Sequence, residues 1–452
     1  MESAWQGRSF VETAIGLLKG GDSNRAMAVA KEAFDLGQIH GDSQQIAVAL
    51  IVKAMGCVHA GDPFGAVSSL EAAHAADPDR MLNAYAQISR RLFPIRNFPP
   101  TDDLSELAIQ QAEVDRLEEL HRTILQEPTD YQGYVDRSLE LGQIDTEIYG
   151  EADEESLALV TESGIRQDFI LCDATAAILA ADDPSAKEGC YIQRSTCWSS
   201  RPQLWAGFEE FDLRCYQQEV ADVRQAIACD IPPGGAYDLD LARALLHTNQ
   251  FDEVMHLVPN NPMELEPDDV EAWLAIQADA LQRSGQYAEA VEARSLLVVM
   301  QEDAYSTARS LQLLDRAECY LELGKFQEAL DDVERLLQVE PQQITSAVFL
   351  RYRIWLRMGR WDEVQATIEG DESEMASAWI ARRVRAEYLM KLNRWEEAKA
   401  DLLALIEAVP DVEWEAHRDL AEVYSQLGQA DRAAEHAAQS KAIFDALEPW
   451  DR

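Results

Sequence analysis

Positive charge is what this sequence has least of. Its 452 residues carry 39 Lys and Arg against 82 Asp and Glu, a formal net charge of −43, and only eight of the 39 are Lys. Binding a phosphate backbone needs a basic footprint, so nucleic acid is not an expected partner. Anionic membrane surfaces are disfavoured for the same reason. Long apolar runs are missing too. The most apolar stretch, Ile46–Val52, breaks at Lys53, far short of the roughly 18 residues a membrane span requires. Glu2 comes early and no apolar stretch of the needed length follows, so no secretory leader is expected. Seven Cys, an odd number at irregular spacings, argue for a reducing compartment, and the expected location is cytoplasmic.

Recognisable catalytic signatures are also lacking. There is no Gly-x-Ser-x-Gly elbow, no His-Glu-x-x-His pair and no Gly-rich loop ending in Lys-Ser or Lys-Thr. Cys190, Cys197, Cys215 and Cys229, with His247 following, are the one grouping to test for a metal. A tetrahedral ion is normally held by ligands in close pairs, and these residues form none. Buried, inert cysteines are the favoured reading, and neither a metal, a cofactor nor a catalytic residue is expected.

What the chain does have is a repeat, clearest over Ser310–Pro341. Leu313, Leu314, Ala317, Tyr320, Leu321 and Leu323 recur at helical spacing up to Gly324, and Phe326, Ala329, Leu330, Val333, Leu336 and Leu337 do so from there to Pro341. The spacing predicts two helices around a tight turn, with Gly324 leaving the right-handed helix at little steric cost. The same turn is predicted at Gly21, Gly61, Asn249, Gly285, Gly359, Asn393 and Gly428. Seven residues before these turns stand Ala14, Ala54, Ala242, Ala278, Ala317, Tyr352, Ala386 and Ala421. Five after stand Ala26, Ala66, Val254, Ala290, Ala329, Val364, Ala398 and Ala433. Two after, an aromatic is frequent: Phe251, Tyr287, Phe326, Trp361, Trp395. From Asn249 to Gly428 the turns are 34 to 39 residues apart.

This pattern resembles the tetratricopeptide repeat (TPR) family, whose unit is a 34-residue helix–turn–helix. The resemblance covers Asp238–Leu447 strongly and Ser9–Pro78 fairly, and it fails over Asp79–Gly235. It implies an all-α fold, an α-solenoid of TPR-like helix–turn–helix repeats with an irregular helical central segment. The expected divisions are 1–93 for N-terminal repeats, 94–235 for the irregular region and 236–452 for the C-terminal array. Within the centre, Asp102–Leu125, Tyr131–Leu141 and Gln203–Ala228 read as helical, while Gly189–Arg201 is the least helical passage of the chain. Trp205, Phe208, Phe211 and Tyr216 read as core rather than as a contact patch.

In such arrays the first helix of each pair lines the groove that binds a peptide. Arg353, Arg383 with Glu387, and Arg418 with Glu422 fall on that face in three successive repeats. They are either a site for an acidic side chain or terminal carboxylate, or, the favoured reading, a ladder of inter-repeat ion pairs. Arg316, Arg351 and Arg385 align two residues earlier than groove position nine and are expected to point at the partner helix. Family members that grip acidic chaperone tails use Lys and Asn where this sequence has Leu314 and Glu318, so that ligand is not implied. The implied function is a non-catalytic protein–protein interaction scaffold or adaptor, with a protein or peptide partner that is basic if the net charge recruits it. The alternatives are a regulatory protein sensing a peptide or small ligand, and an unrecognised enzyme or metal site in 94–235.

Overall fold

The computed structural model describes residues 2–92, 104–144, 154–200, 209–229, 236–259, 265, 267–301, 307–339, 344–369, 375–408 and 414–446. Among them are 22 α-helices and no strand, so the fold is all-α. The proline-rich 94–100 stretch lies outside the described residues.

By packing, the chain divides into two compact units that meet in sequence between Ala244 and Leu245. The first holds α1 (Glu2–Lys19), α2 (Ser23–His40), α3 (Ser43–His59), α4 (Pro63–Ala76), α5 (Pro78–Leu92), α6 (Leu104–Gln126), α7 (Tyr131–Ile144), α8 (Glu154–Ala180), α9 (Pro184–Ser200) and α10 (Glu209–Ala228). The boundary falls within α11 (Ala236–His247). The second unit continues with α12 (Phe251–Leu257), α13 (Pro267–Arg283), α14 (Tyr287–Met300), α15 (Thr307–Glu322), α16 (Phe326–Val339) and α17 (Ile344–Arg357). It ends with α18 (Trp361–Ile368), α19 (Met375–Lys391), α20 (Trp395–Ala408), α21 (Trp414–Gln426) and α22 (Ala430–Ala446).

All eight predicted turn residues have positive φ, from 58° at Asn249 and Asn393 to 82° at Gly285, and Gly41 adds a ninth at 64°. Each closes its helix with the same backbone bond. The Lys325 N–H donates to the Tyr320 carbonyl at 2.9 Å, and Asp62 to Cys57, Gln286 to Leu281 and Arg394 to Leu389 repeat it. This satisfies a carbonyl that the helix end would otherwise leave open, and it requires a left-handed residue just before the donor. What starts the following helix differs between the units. In the first, Asp22, Asp42 and Asp62 accept the N–H of Arg25, Gln45 and Gly65. In the second, α12, α14, α16, α18 and α20 each begin on the predicted aromatic.

The small positions pack as expected. In seven of the eight predicted hairpins both residues are fully buried, from Ala14 and Ala26 to Ala386 and Ala398. Only Ala421 and Ala433, in the α21–α22 hairpin, stay half-exposed. Among the described residues no further helix follows to cover them.

In the first unit one core runs from Ala14 to Cys190, because α8 packs against α3 and α4 and carries Phe169, Cys172, Ala176 and Ala177 into it. The passage 189–201 corrects the sequence reading, since residues up to Ser200 belong to helix α9. Its hydroxyl groups turn back onto its own carbonyls, as in Ser195 to Ile192 at 2.7 Å and Thr196 to Ile192 at 3.0 Å. Cys190 and Trp198 are buried, and Arg194 forks onto Asp222 of α10 at 2.8 and 2.7 Å. Tertiary contacts supply what a weak helix propensity does not.

Candidate binding grooves on the first helices

First helices pack on first helices. α3 touches α1 and α5, and α17 touches α15 and α19, so in each unit one face is built from a single row. The arginines read from the sequence lie on that row but not in one cluster. Arg383 is 9% exposed and fully engaged, bonding Glu387 at 3.1 Å, Glu415 at 2.9 Å and Asp419 at 3.6 Å. Arg418 pairs with Asp419 at 3.0 Å and lies over the Trp414 ring. Arg353 is the loosest of the three, with Glu318 at 3.6 Å and Glu322 at 3.9 Å. Asp419 is shared by Arg383 and Arg418, which ties those two together, while Arg353 lines a cleft to which Glu387, itself bonded to Arg383, also contributes.

That cleft, about 180 Å³, is formed by α15, α17 and α19. Its floor is Leu321, Leu356 and Val384, and its walls carry Glu322, Arg353, Arg357, Glu387, Tyr388 and Lys391. Arg357 and Lys391 were missed in the sequence. Both stand two residues before their turns, one helical step of four beyond groove position nine, and that spacing was the available signal.

In the first unit a larger trough, about 880 Å³, crosses α1, α3 and α5. Phe10, Val11, Val48 and Ala84 give it apolar surface, and Gln44, Gln45, Asn83 and Gln87 give it amides. Two contacts span it: Arg91 forks onto Glu12 at 2.7 Å twice, and Arg80 donates to Gln44 at 2.8 Å. Amide side chains both donate and accept, which suits a peptide main chain.

Of the three arginines expected to face the partner helix, Arg316 and Arg385 do so. Arg316 forks onto Asp332 of α16 at 2.8 and 2.7 Å, and Arg385 bonds Asp401 of α20 at 2.7 Å. Arg351 has no such acid, lying 3.8 Å from Glu334 and over the Trp355 ring. Arg294, unanticipated, is buried between Asp279 and Asp315 at 2.7 and 2.9 Å, and burial pushes Asp315 up to about 6.

Nothing in the described centre assembles a metal site: no group of three or more potential ligands occurs among the described residues. Burial pushes the Cys57, Cys190 and Cys319 thiols up to about 11, which keeps them protonated and unreactive. Phe211 packs edge-on against Phe64 at 5.5 Å in a small cluster with Trp198, and Tyr216 is half-buried. Trp205 and Phe208 lie outside the described residues. No helix of the described residues is long and apolar enough to cross a membrane.

No family model matches the chain, and no curated protein matches it in sequence. Among solved structures, the apo form of RapI aligns at 10% identity and TM-score 0.36, over 57% of this chain and 99% of that one. A Rap protein complexed with competence and sporulation factor aligns at 14% identity and TM-score 0.34, over 74% and 98%. A human IFIT1 dimer with PPP-AAAA aligns at 13% identity and TM-score 0.31, over 88% and 91%. TM-scores below 0.5 at such identities establish neither a shared family nor a shared ligand. The chain is an all-α protein of repeated helix hairpins with TPR-like turns.

Proposed function

We propose that this protein is a non-catalytic scaffold or adaptor that holds a protein or peptide segment against its first helices. The trough across α1, α3 and α5 carries the reading. It is open, long enough to cross three helices, partly apolar and rimmed with amides. That is the chemistry that takes an extended main chain and its alternate side chains. With a net charge of −43, segments rich in Lys or Arg associate faster, and their complexes weaken as salt rises. Arg353, Arg383, Arg418 and Glu387 belong to the same proposal for the second unit, with Arg353 and Glu387 as the pair lining an open cleft.

The test is capture of partners by the intact chain and by a variant with Asn83→Arg and Gln87→Arg. Both side chains are exposed on the trough rim, so the hairpins remain folded while the trough is filled. Partners lost with the variant and released by salt support the reading. An identical set of partners with both proteins overturns it.

A further inference from the structure

Three consecutive hairpins of the second unit place two cations at fixed offsets from the turn. Eight residues before Gly324, Gly359 and Asn393 stand Arg316, Arg351 and Arg385, and one residue after them stand Lys325, Arg360 and Arg394. Between the cations, four residues before the turn, the first two hairpins have a ring. Arg316 and Lys325 lie 5.9 and 5.8 Å from the centre of the Tyr320 ring. Arg351 and Arg360 lie 5.1 and 5.3 Å from the centre of the Trp355 ring. Each ring shares a hydrophobic cluster with the aromatic that opens the preceding second helix, Tyr320 with Tyr287 and Trp355 with Phe326. Trp355 Nε1 is buried without a hydrogen-bond partner, so that ring is held through its faces. In the third hairpin the ring position is Leu389. Both cations remain, and so does the second-helix aromatic, here Trp361. A pocket of about 490 Å³ opens at this point between α18, α19 and α20, and its lining includes Trp361, Gln365, Arg385, Leu389, Arg394 and Asp401.

We propose that this pocket takes one aromatic side chain, Trp or Tyr, of a partner segment, at the place where the two preceding hairpins insert their own ring. The inference goes beyond the groove reading, because the pocket opens between two second helices rather than along the first helices. A cation over an aromatic face is attracted by the ring quadrupole out to about 6 Å, most strongly for Trp. An aliphatic guest would cover the guanidinium faces and return no such attraction. Arg385 and Arg394 already use their edges, Arg385 on Asp401 at 2.7 Å and on Gln365, Arg394 on Glu397 at 2.7 and 2.5 Å. Edge bonds leave the faces available. Arg316 forks onto Asp332 at 2.8 and 2.7 Å while lying over Tyr320. Those bonds also fix both guanidinium groups in advance, so stacking a ring on them orders little that is free. The Trp361 wall is fixed as well, with Arg394 at 5.2 Å and the Tyr388 ring at 5.7 Å. The volume lies within the ~300–1,000 Å³ typical of ligand pockets and admits one indole or phenol side chain.

The probe is a set of neutral peptides, acetyl-Gly-Gly-X-Gly-Gly-amide with X as Trp, Tyr or cyclohexylalanine, titrated with the full chain and read by NMR. Cyclohexylalanine matches an aromatic side chain in size and apolarity but has no π face. The Trp peptide is expected to bind about tenfold more tightly than the cyclohexylalanine peptide. Arg394→Gln, at an exposed position, is expected to cut that preference severalfold, while Lys31→Gln on α2 leaves it intact. Leu389→Trp, which supplies the chain's own ring, is expected to abolish binding. Leu389 is 3% exposed, so melting is read beside binding, and Arg394→Gln decides alone if Leu389→Trp unfolds. A cyclohexylalanine peptide that binds as tightly as the Trp peptide overturns the proposal. So does a preference that survives Arg394→Gln, or an absence of binding by every peptide. A preference lost instead with Asn83→Arg and Gln87→Arg assigns the ring to the trough, which overturns the pocket and leaves the groove reading standing.

Discussion

Arg137 of α7 and Asp173 of α8 face each other with no exposed surface on either side chain. Two bonds join them, at 2.7 and 2.5 Å, and the same carboxylate accepts the Tyr85 hydroxyl at 2.7 Å. With the Arg137 bond to Ser89 at 3.3 Å, the pair ties α7 and α8 to α5. Removing one partner strands a buried charge, which costs about 3–5 kcal/mol, whereas replacing both with apolar groups is far milder. Arg137→Met and Asp173→Leu are each expected to lower the denaturant midpoint steeply, and the double variant to recover most of the loss. Additive losses in the double variant refute the coupling.

The Arg137 guanidinium also donates to His121 Nδ1 at 2.7 Å. Burial, then Arg137 and Arg90, push the imidazole down to about 3. The unfolded imidazole takes its proton near pH 6.5, so the stability from holding it neutral is complete above that pH. It drains away as pH falls toward 3, at about 1.4 kcal/mol per pH unit. His121→Gln should flatten the acid limb of the stability–pH curve below pH 6.5. An unchanged limb shows that the imidazole is not buried as described.

Gly324 has φ 72° and Gly189 lies inside α9, and a Cβ added to either meets no atom within 4 Å. Space being equal, conformation decides the sign. Gly324→Ala is expected to cost about 1–2 kcal/mol for a left-handed Cβ. Gly189→Ala is expected to stabilise by about 0.5–1 kcal/mol, as Ala does in a helix interior. Thermal melts of the two variants should shift in opposite directions.

Arg383 and Arg353 share a groove row but should respond differently to charge reversal. Arg383→Glu places a fourth acid among Glu387, Glu415 and Asp419 at a site 9% exposed, and should destabilise by about 3 kcal/mol or more. Arg353→Glu breaks only long, half-exposed pairs and should cost less than about 1 kcal/mol. Equal melting temperatures for the two variants contradict this assignment.

The repeat was legible in the sequence because each of its parts is a local demand. A left-handed turn accepts Gly or Asn, so Gly324 and Asn393 announced themselves, and Ala317 and Ala329 marked where two helices approach closely. Arg357 and Lys391 were also within reach of helical spacing, four residues past the groove position counted. What only the tertiary structure decided is which charges are satisfied. Arg353, Arg383 and Arg418 look alike in sequence, yet Arg383 is consumed by three acids from two helices and Arg353 borders an open cleft. α9 belongs to the same lesson, since its helix is held by Asp222, twenty-eight residues beyond Arg194. Turn geometry depends on a handful of consecutive residues, whereas ion pairing depends on distances between helices that no single stretch of chain encodes.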